Sequence, residues 1–254
     1  MDLRDRIKQL DVPEGRLAIF WLGNAGFALK SAQGDIIYLD PYLSDCAQRL
    51  YGFKRLYPTP IGADDVEADC VLISHQHGDH FDIDSLPTIM KQDDIKLLGP
   101  QPCIEQGLEL GISEEKLVEV EEGSKESFTN FEVLTVFADH GDLAPQAVGY
   151  ILNFGDLKLY YTGDTAYSPD KMKQAFSLQP EILIAPINGK FNNLNSIEAA
   201  LLARDCRAEV VIPAHFWMFA QHNGSLGKFI EYVDQIAQET DYELITQGDC
   251  YLYS

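Results

Sequence analysis

The chain has 254 residues, of which 46% are hydrophobic and 23% are charged, the balance of an ordinary globular protein. Forty acidic residues against 19 basic ones give a formal net charge of −21, so the surface repels phosphate backbones and we expect no nucleic-acid partner. No apolar run approaches the ~20 residues needed to span a bilayer, and residues 1–10 lack the apolar centre of a signal peptide. We therefore expect a cytoplasmic protein with no membrane partner.

The cysteines indicate reduced thiols rather than a disulfide framework. They are odd in number, scattered, and never spaced as C-x-x-C: Cys46, Cys70, Cys103, Cys206 and Cys250. Disulfide scaffolds and zinc ribbons use close, paired spacings. We expect all five thiols to be free.

Apolar runs and hydrophobic periodicity predict an alternation of strands and helices. In chain order they predict a surface helix within 1–10, a meander of strands at 17–20, 27–30 and 36–39, a strand at 71–73, a helix at 85–91, a strand at 95–98, a helix at 102–110, a strand at 133–137, a hairpin of 148–154 with 157–161, strands at 182–185 and 210–212, and helices at 196–204 and 226–238. Each half begins with strands and continues with strand–helix alternation. This predicts the α/β (α+β) class, with one domain over 1–254 in which two mixed sheets pack face to face with helices outside, in four layers.

Three of the six histidines fall within six residues, directly after an apolar strand: His75, His77 and His80, with Asp79 among them. Alternate side chains of an extended segment share a face, so His75 and His77 can point the same way. Gly78 permits a turn that brings Asp79 and His80 back to the same space. The alternative is a polar turn with scattered surface histidines. Imidazole and carboxylate together suit zinc, manganese or iron, so the spacing favours a metal site.

Three further candidate ligands stand just after predicted strands: His140, Asp164 and His215. Loops at the edge of a sheet are where a rigid scaffold presents functional groups. Taken singly, each also fits a hydrogen-bonded loop position. Their order behind the histidine run is what favours a shared metal centre.

The order H-x-H-x-D-H, then His, then Gly-Asp, then His resembles the metallo-β-lactamase superfamily and, within it, the L-ascorbate-6-phosphate lactonase group. The supporting segments run from about residue 17 to about residue 220 and are WLGNAG at 21–26, DPY at 40–42, SHQHGDHF at 74–81, GPQPC at 99–103, GDTAYS at 163–168, PING at 186–189 and PAHFW at 213–217. The resemblance implies the metallo-β-lactamase αβ/βα sandwich and a hydrolase with two divalent metal ions, zinc or manganese, with iron also compatible.

The resemblance also implies a role for each candidate ligand. It groups them as His75, His77 and His140 on one metal, Asp79, His80 and His215 on the other, and Asp164 bridging both. Asp40, which ends the strand at 36–39, resembles the family's carboxylate that orients a ligand histidine. Such a partner fixes the histidine tautomer and strengthens the ligand.

The implied reaction needs no protein nucleophile. Two divalent cations lower the pKa of a shared water, so a bridging hydroxide can exist at neutral pH and attack a substrate carbonyl. Asp79 is the expected catalytic residue, which passes a proton to the leaving group. The resemblance implies that the substrate is a small anion, a phosphorylated sugar lactone such as L-ascorbate 6-phosphate.

A substrate phosphate requires a nearby cation, and Lys190 is the first candidate. It follows a buried strand on the expected active edge, and Gly189 before it permits close approach of the backbone to a ligand. A solvated loop lysine is the structural alternative. Lys54 and Arg55, in a loop rich in Tyr and Pro, are alternative phosphate ligands.

Tyr167 and His222 are further candidate substrate-binding residues because they stand near the predicted ligands Asp164 and His215 in sequence, and Asn188 is a candidate because it belongs to the loop of Lys190. A structural role for Tyr167 and a surface position for His222 are the alternatives. The sequence leaves the metal, the native substrate and a homo-oligomeric state open.

Three other functions compete with the lactonase. A phosphodiesterase or nuclease of the same fold would use the same metals but should have a basic track for phosphates, which a net charge of −21 disfavours. A thioester hydrolase fits the metal ligands but not the loop segments quoted above. A metal-free binding protein would have gaps among the ligands, and every ligand position is filled.

Overall fold

The computed structural model describes residues 1–254, with seven α-helices and fourteen strands. The helices are α1 Leu3–Gln9, α2 Cys46–Tyr51, α3 Leu86–Ile89, α4 Gln101–Glu109, α5 Lys173–Leu178, α6 Ser196–Cys206 and α7 Leu226–Ile236. The strands are β1 Leu17–Gly23, β2 Gly26–Ser31, β3 Ile36–Leu39, β4 Cys70–Leu72, β5 Lys96–Gly99, β6 Leu117–Glu119, β7 Lys125–Ser127, β8 Glu132–Phe137, β9 Val148–Asn153, β10 Lys158–Tyr161, β11 Ile182–Pro186, β12 Val210–Ala214, β13 Asp241–Tyr242 and β14 Cys250–Tyr253. No helix has the length and apolar composition needed to cross a membrane.

The chain divides into two units, each with one sheet. The first unit comprises Met1–Val120, Met218–Ala220 and Ile245–Ser254, and the second comprises Glu121–Trp217 and Gln221–Leu244. The single domain expected over residues 1–254 stays a prediction.

The sheet of the first unit has the strand order β14-β1-β2-β3-β4-β5-β6. Strands β14 to β3 pair antiparallel, and β3 to β6 pair in parallel. Because β3 and β4 are parallel neighbours, with Leu39 opposite Leu72, their carboxyl ends lie side by side. This register places Asp40 next to the start of the histidine run.

Helix α1 is fixed to the first unit by apolar and polar contacts. Leu3 and Ile7 are buried in the core beneath it. The buried Lys30 donates from Nζ to the carbonyl oxygens of Ile7 at 2.9 Å and Lys8 at 2.6 Å. These are carbonyls near the carboxyl end of the helix, where no backbone N–H is available to pair with the last turn.

The sheet of the second unit has the order β13-β12-β11-β10-β9-β8-β7. Strands β7 to β10 pair antiparallel, and β10 to β13 pair in parallel. Strands β8, β10, β11 and β12 therefore point in the same direction and end at the same edge of the sheet. Residues that follow these four strands are brought together by topology alone.

The two mixed sheets with their helices confirm the predicted α+β class. Asn195 caps α6 in a capping box with Glu198, so the start predicted at residue 196 is confirmed. The helix predicted at 85–91 is only the four-residue α3, and the helix predicted to end at 238 ends at Ile236. The short elements α2, α5, β6, β7, β13 and β14 had no prediction.

Candidate metal centre

The histidine run leaves β4 as extended chain and then turns. The backbone N–H of Ile73 still pairs with Leu98, at 2.9 Å, and the turn is closed by the N–H groups of His80 and Phe81, which both donate to the carbonyl of His77. The sequence analysis gave Gly78 the role of permitting the turn. However, Gly78 does not adopt a positive φ, so the turn does not need glycine for its conformation. A Cβ at position 78 would instead lie 2.8 Å from Leu50 Cδ1, so Gly78 allows the close approach of α2.

His75 and His77 lie against each other in the first unit, as alternation along an extended segment predicted. Nε2 of His75 is 2.8 Å from Nδ1 of His77, and the rings meet edge to face with centroids 4.5 Å apart. His75 is fully buried, while His77 is half-buried. The two rings thus present nitrogen donors to one small volume.

His80 is oriented by Asp40. Its Nδ1 lies 2.6 Å from Oδ2 of Asp40 and both side chains are fully buried. Asp40 also accepts hydrogen bonds from the backbone N–H of Ser74 at 2.7 Å and from its hydroxyl at 2.5 Å. With its Nδ1 proton donated to Asp40, the nitrogen that His80 could offer to a metal is Nε2, and that atom is 3.9 Å from Oδ2 of Asp79.

Asp79 is held by Asn24, a residue that the sequence analysis did not single out. The Asn24 amide donates to Oδ2 of Asp79 at 3.1 Å and to its carbonyl at 3.3 Å. Asn24 is fully buried in the turn between β1 and β2, with a φ of 54°, a conformation that asparagine tolerates better than most residues. The signals in the sequence were its position between glycines in a tight turn and its place in the segment WLGNAG at 21–26.

Asp82 is a second residue that the sequence analysis missed. Its fully buried carboxylate accepts backbone N–H groups of Leu43 and Ser44, both at 2.8 Å, and the hydroxyls of Ser44 and Ser85. These bonds fix the loop after Asp40 to the segment after His80. Asp82 therefore stabilises the loops that hold the first unit's candidate metal ligands, and it is not one of those candidate ligands itself.

In the second unit, His140, Asp164 and His215 meet at the common edge of the sheet, after β8, β10 and β12. All three are buried. Oδ2 of Asp164 lies 3.4 Å from Nε2 of His215 and 4.0 Å from Nε2 of His140. One carboxylate oxygen thus faces two imidazole nitrogens.

The spacing and chemistry of these donors fit a divalent metal. Zinc lies about 2.0–2.2 Å from nitrogen and oxygen ligands, so donors to one ion are about 3–4 Å apart. The Asp164 to His215 distance of 3.4 Å falls in that range and is longer than an ordinary hydrogen bond. A buried carboxylate also requires a compensating positive charge, which a cation ligated by the same histidines would supply.

Asp139 forms hydrogen bonds that connect three loops of the second unit, those after β8, β10 and β11. Its carboxylate accepts from Ser168 at 2.8 Å, and its N–H donates to the Thr165 hydroxyl at 2.8 Å. Its carbonyl accepts from the N–H of Ala166 and from the Asn192 amide. The loops after β8, β10 and β11 are therefore one hydrogen-bonded assembly, which fixes His140 and Asp164.

Comparison with known proteins decides the family. The model of the beta-lactamase superfamily domain matches residues 18–215, which is more than half of the chain. The chain belongs to this superfamily. At the level of reaction class it is a metal-dependent hydrolase of the metallo-β-lactamase fold, and its His and Asp cluster is able to bind metal.

Relatives and solved structures agree with the superfamily assignment. The probable L-ascorbate-6-phosphate lactonase UlaG of Salmonella paratyphi B is 26% identical over 258 residues, covering 84% of this chain and 73% of that protein. The metallo hydrolase Igni18 of Ignicoccus hospitalis has a TM-score of 0.74 at 20% identity, covering 94% of this chain and 99% of that one. An isothiocyanate hydrolase from Delia radicum gut bacteria has a TM-score of 0.76 at 16% identity, covering 93% and 99%. At such identities the solved structures show the fold alone.

The candidate substrate-binding residues of the chain differ in burial and in their contacts. His222 is buried rather than on the surface, and its ring centroid is 5.2 Å from that of His215. Lys190 is exposed, next to Phe191, whose ring packs edge to face on His222 with centroids 5.2 Å apart. Tyr167 donates its hydroxyl to Asp205 on α6, a contact that fits its structural alternative.

The two alternative phosphate ligands also differ. Lys54 is exposed, whereas Arg55 is more enclosed and donates to the carbonyl oxygen of Ser44 at 2.9 Å. The Arg55 guanidinium lies over the ring of Tyr42, 4.8 Å from its centroid, and its burial lowers the pKa of the guanidinium. Arg55 thus fixes its own loop to the segment before α2 that contains Tyr42 and Ser44.

Proposed function

We propose that the protein is a two-metal hydrolase that opens a phosphorylated sugar lactone. The metal part of the proposal follows the superfamily pattern, with His75, His77 and His140 on one ion, Asp79, His80 and His215 on the other, and Asp164 shared by both. The observation that supports it best is the position of Asp164, whose Oδ2 faces the Nε2 atoms of His140 and His215. A single carboxylate oxygen between these two histidines is in a suitable position for a ligand shared by two ions.

Two bound divalent cations would lower the pKa of a water molecule and withdraw electron density from a substrate carbonyl. The residues of the chain supply orientation and proton transfer. Asp40 fixes the His80 ring through Nδ1, and Asn24 fixes the Asp79 carboxylate through Oδ2. The Asp79 side chain is largely buried, with 12% exposed, and in this proposal its carboxylate holds a proton and passes it to the leaving oxygen of the opened ring.

The lactone part of the proposal rests on relatives and on one cation. The UlaG relatives bear the name probable L-ascorbate-6-phosphate lactonase, at 26% identity over 84% of this chain. In a protein with a net charge of −21, an anionic substrate needs a local positive charge. Lys190 supplies one in the loop that packs on His222, and Phe191 beside it offers an exposed aromatic surface for the substrate ring.

Because other hydrolases of the same fold act on phosphodiesters or thioesters, the experiment compares substrates of each class. The zinc- or manganese-loaded protein is assayed against a phosphorylated lactone, its unphosphorylated counterpart, bis-p-nitrophenyl phosphate and a thioester. We expect the highest kcat/KM for the phosphorylated lactone and loss of that activity after removal of metal by a chelator. A higher kcat/KM for the phosphodiester or the thioester would overturn the lactonase and leave a metal-dependent hydrolase of another bond.

A further inference from the structure

Asn188 makes a contact that neither the sequence analysis nor the proposed reaction uses. It follows β11, is 7% exposed, and its Nδ2 lies 3.2 Å from Nδ1 of His215. Its Oδ1 is buried without a hydrogen-bond partner. An amide with an unsatisfied buried oxygen beside a histidine nitrogen has two orientations to choose between.

The backbone holds the Asn188 amide beside His215. Ile187 N–H donates to the Ala214 carbonyl at 3.0 Å, immediately before His215, and Asn188 forms an isolated antiparallel bridge with Asn195. Gly189 has a φ of 61°, and a Cβ there would lie 2.8 Å from Asn195 Cβ. The loop is therefore closed tightly on both sides of the amide.

If His215 binds a metal through Nε2, only one orientation of the Asn188 amide fits. A neutral imidazole that binds metal at Nε2 must carry its proton on Nδ1, and only an acceptor can then face Nδ1. Turning the amide by 180° places Oδ1 of Asn188 there and gives that oxygen the donor it lacks. It also leaves the lone pair of His215 Nε2 for a metal ion that Asp164, whose Oδ2 is 3.4 Å away, would bind as well.

We propose that Asn188 is the positioning residue of His215: its Oδ1 accepts the Nδ1 proton and holds the ring in the tautomer that binds metal. Asp40 does the same for His80 with a carboxylate, through the same ring atom. The inference rests on the proposed function only in taking His215 as a metal ligand. It moves Asn188 from the substrate-binding residues, where the sequence analysis had placed it, to the metal site.

The test compares Asn188→Leu with Asn188→Asp in the 254-residue chain. Leucine is similar in size but has no acceptor, while aspartate restores one. Two quantities are measured: the tautomer of His215 in the metal-free protein, from long-range ¹⁵N–¹H correlation spectra, and the zinc affinity, from competition with a chromophoric chelator. Asn193→Leu is the matched control, since Asn193 is also a buried asparagine of this loop.

We expect the wild type, Asn193→Leu and Asn188→Asp to carry the His215 proton on Nδ1. Asn188→Leu should move it to Nε2 and weaken the affinity of one ion by about 10- to 100-fold. An Asn188→Leu variant with the wild-type tautomer and affinity would overturn the inference. If that variant does not fold, the aspartate variant decides: at least wild-type affinity with the proton on Nδ1 supports the inference, and a proton on Nε2 refutes it.

The outcome is separable from that of the proposed function. The tautomer is measured without metal and without substrate, so a protein that hydrolyses no lactone can still support the role of Asn188. A wild-type protein that binds no zinc would refute the metal centre itself. In that case no variant would bind zinc in the competition assay, and the proposed role of Asn188 at a metal site would also be refuted.

Discussion

Asp40 and Asp164 are both buried aspartates that follow strands, but their contacts assign them different roles. The oxygens of Asp40 receive three hydrogen bonds, two from Ser74 and one from His80. Asp164 instead directs Oδ2 towards the ring nitrogens of two histidines. A carboxylate that accepts hydrogen bonds at 2.5–2.7 Å orients its neighbours, whereas one whose oxygen lies 3.4 and 4.0 Å from two Nε2 atoms has the spacing of a ligand that shares a metal with them.

Asp40→Asn should therefore weaken one metal site without removing a ligand. The new amide would place a donor group where Asp40 now accepts protons, so His80 would lose its fixed tautomer. We expect about 10- to 100-fold weaker binding of one ion, measured by chelator competition. Asp64→Asn, at an exposed aspartate of the same unit, is the control. Equal affinity for zinc in both variants would contradict the orienting role.

Lys190→Ala tests the phosphate contact. A charged hydrogen bond to phosphate is worth about 1.5–3 kcal/mol, so its loss should raise KM for the phosphorylated lactone roughly 10- to 150-fold. A neutral lactone should be almost unaffected. Lys173→Ala, at a 72% exposed lysine of α5, should change neither KM. Equal losses on both lactones in Lys190→Ala would mean that the lysine is structural.

At the scale of elements, the sequence predicted the strand ends that present the candidate ligands because apolar runs stop abruptly at polar residues. His140, Asp164 and His215 each follow such a run. Asn24 and Asp82 could not be predicted in the same way. Their roles depend on contacts between distant segments, since Asn24 and Asp79 are 55 residues apart, and a buried polar side chain leaves no periodic pattern. The short α2 likewise depends on packing that no local pattern encodes.

Two nearby glycines, Gly224 in the loop before α7 and Gly227 inside α7, give a prediction about stability and its control. A Cβ on Gly224 would lie 2.6 Å from Ile187 Cγ1 and 2.8 Å from its carbonyl oxygen, so backbone must move. Gly224→Ala should destabilise the protein by about 1–3 kcal/mol. Gly227, inside α7, has nothing within 4 Å, and Gly227→Ala should stabilise by about 0.4–1 kcal/mol.

Thermal or urea unfolding of both variants measures these changes. Because Ile187 precedes Asn188, Gly224→Ala should also weaken metal binding at His215. Equal stabilities of the two alanine variants would mean that the contact between Gly224 and Ile187 does not constrain the loop.

At the scale of the whole molecule, the thiols are shielded from reaction. All five cysteines are free, as expected, and burial raises the pKa of each thiol, to about 12 for Cys46. A raised pKa keeps a thiol protonated, and therefore unreactive, at neutral pH. Only Cys250 is partly accessible.

We therefore predict that a disulfide reagent at neutral pH modifies at most Cys250 quickly in the native protein, and all five cysteines after denaturation. Hydrolytic activity should survive the first modification because the reaction needs no thiolate. Complete loss of activity on modifying one cysteine, with the metal content unchanged, would contradict this account.

The metal content of the purified chain tests the central claim most directly. After loading with zinc or manganese and removal of unbound metal, elemental analysis should find two ions per chain in the wild type. Asp164→Ala removes the one ligand shared by both ions and should lower the content of both, whereas Asp156→Ala, at an exposed aspartate of the same unit, should retain two. Full occupancy in Asp164→Ala, or no bound metal in the wild type, would contradict the two-metal centre.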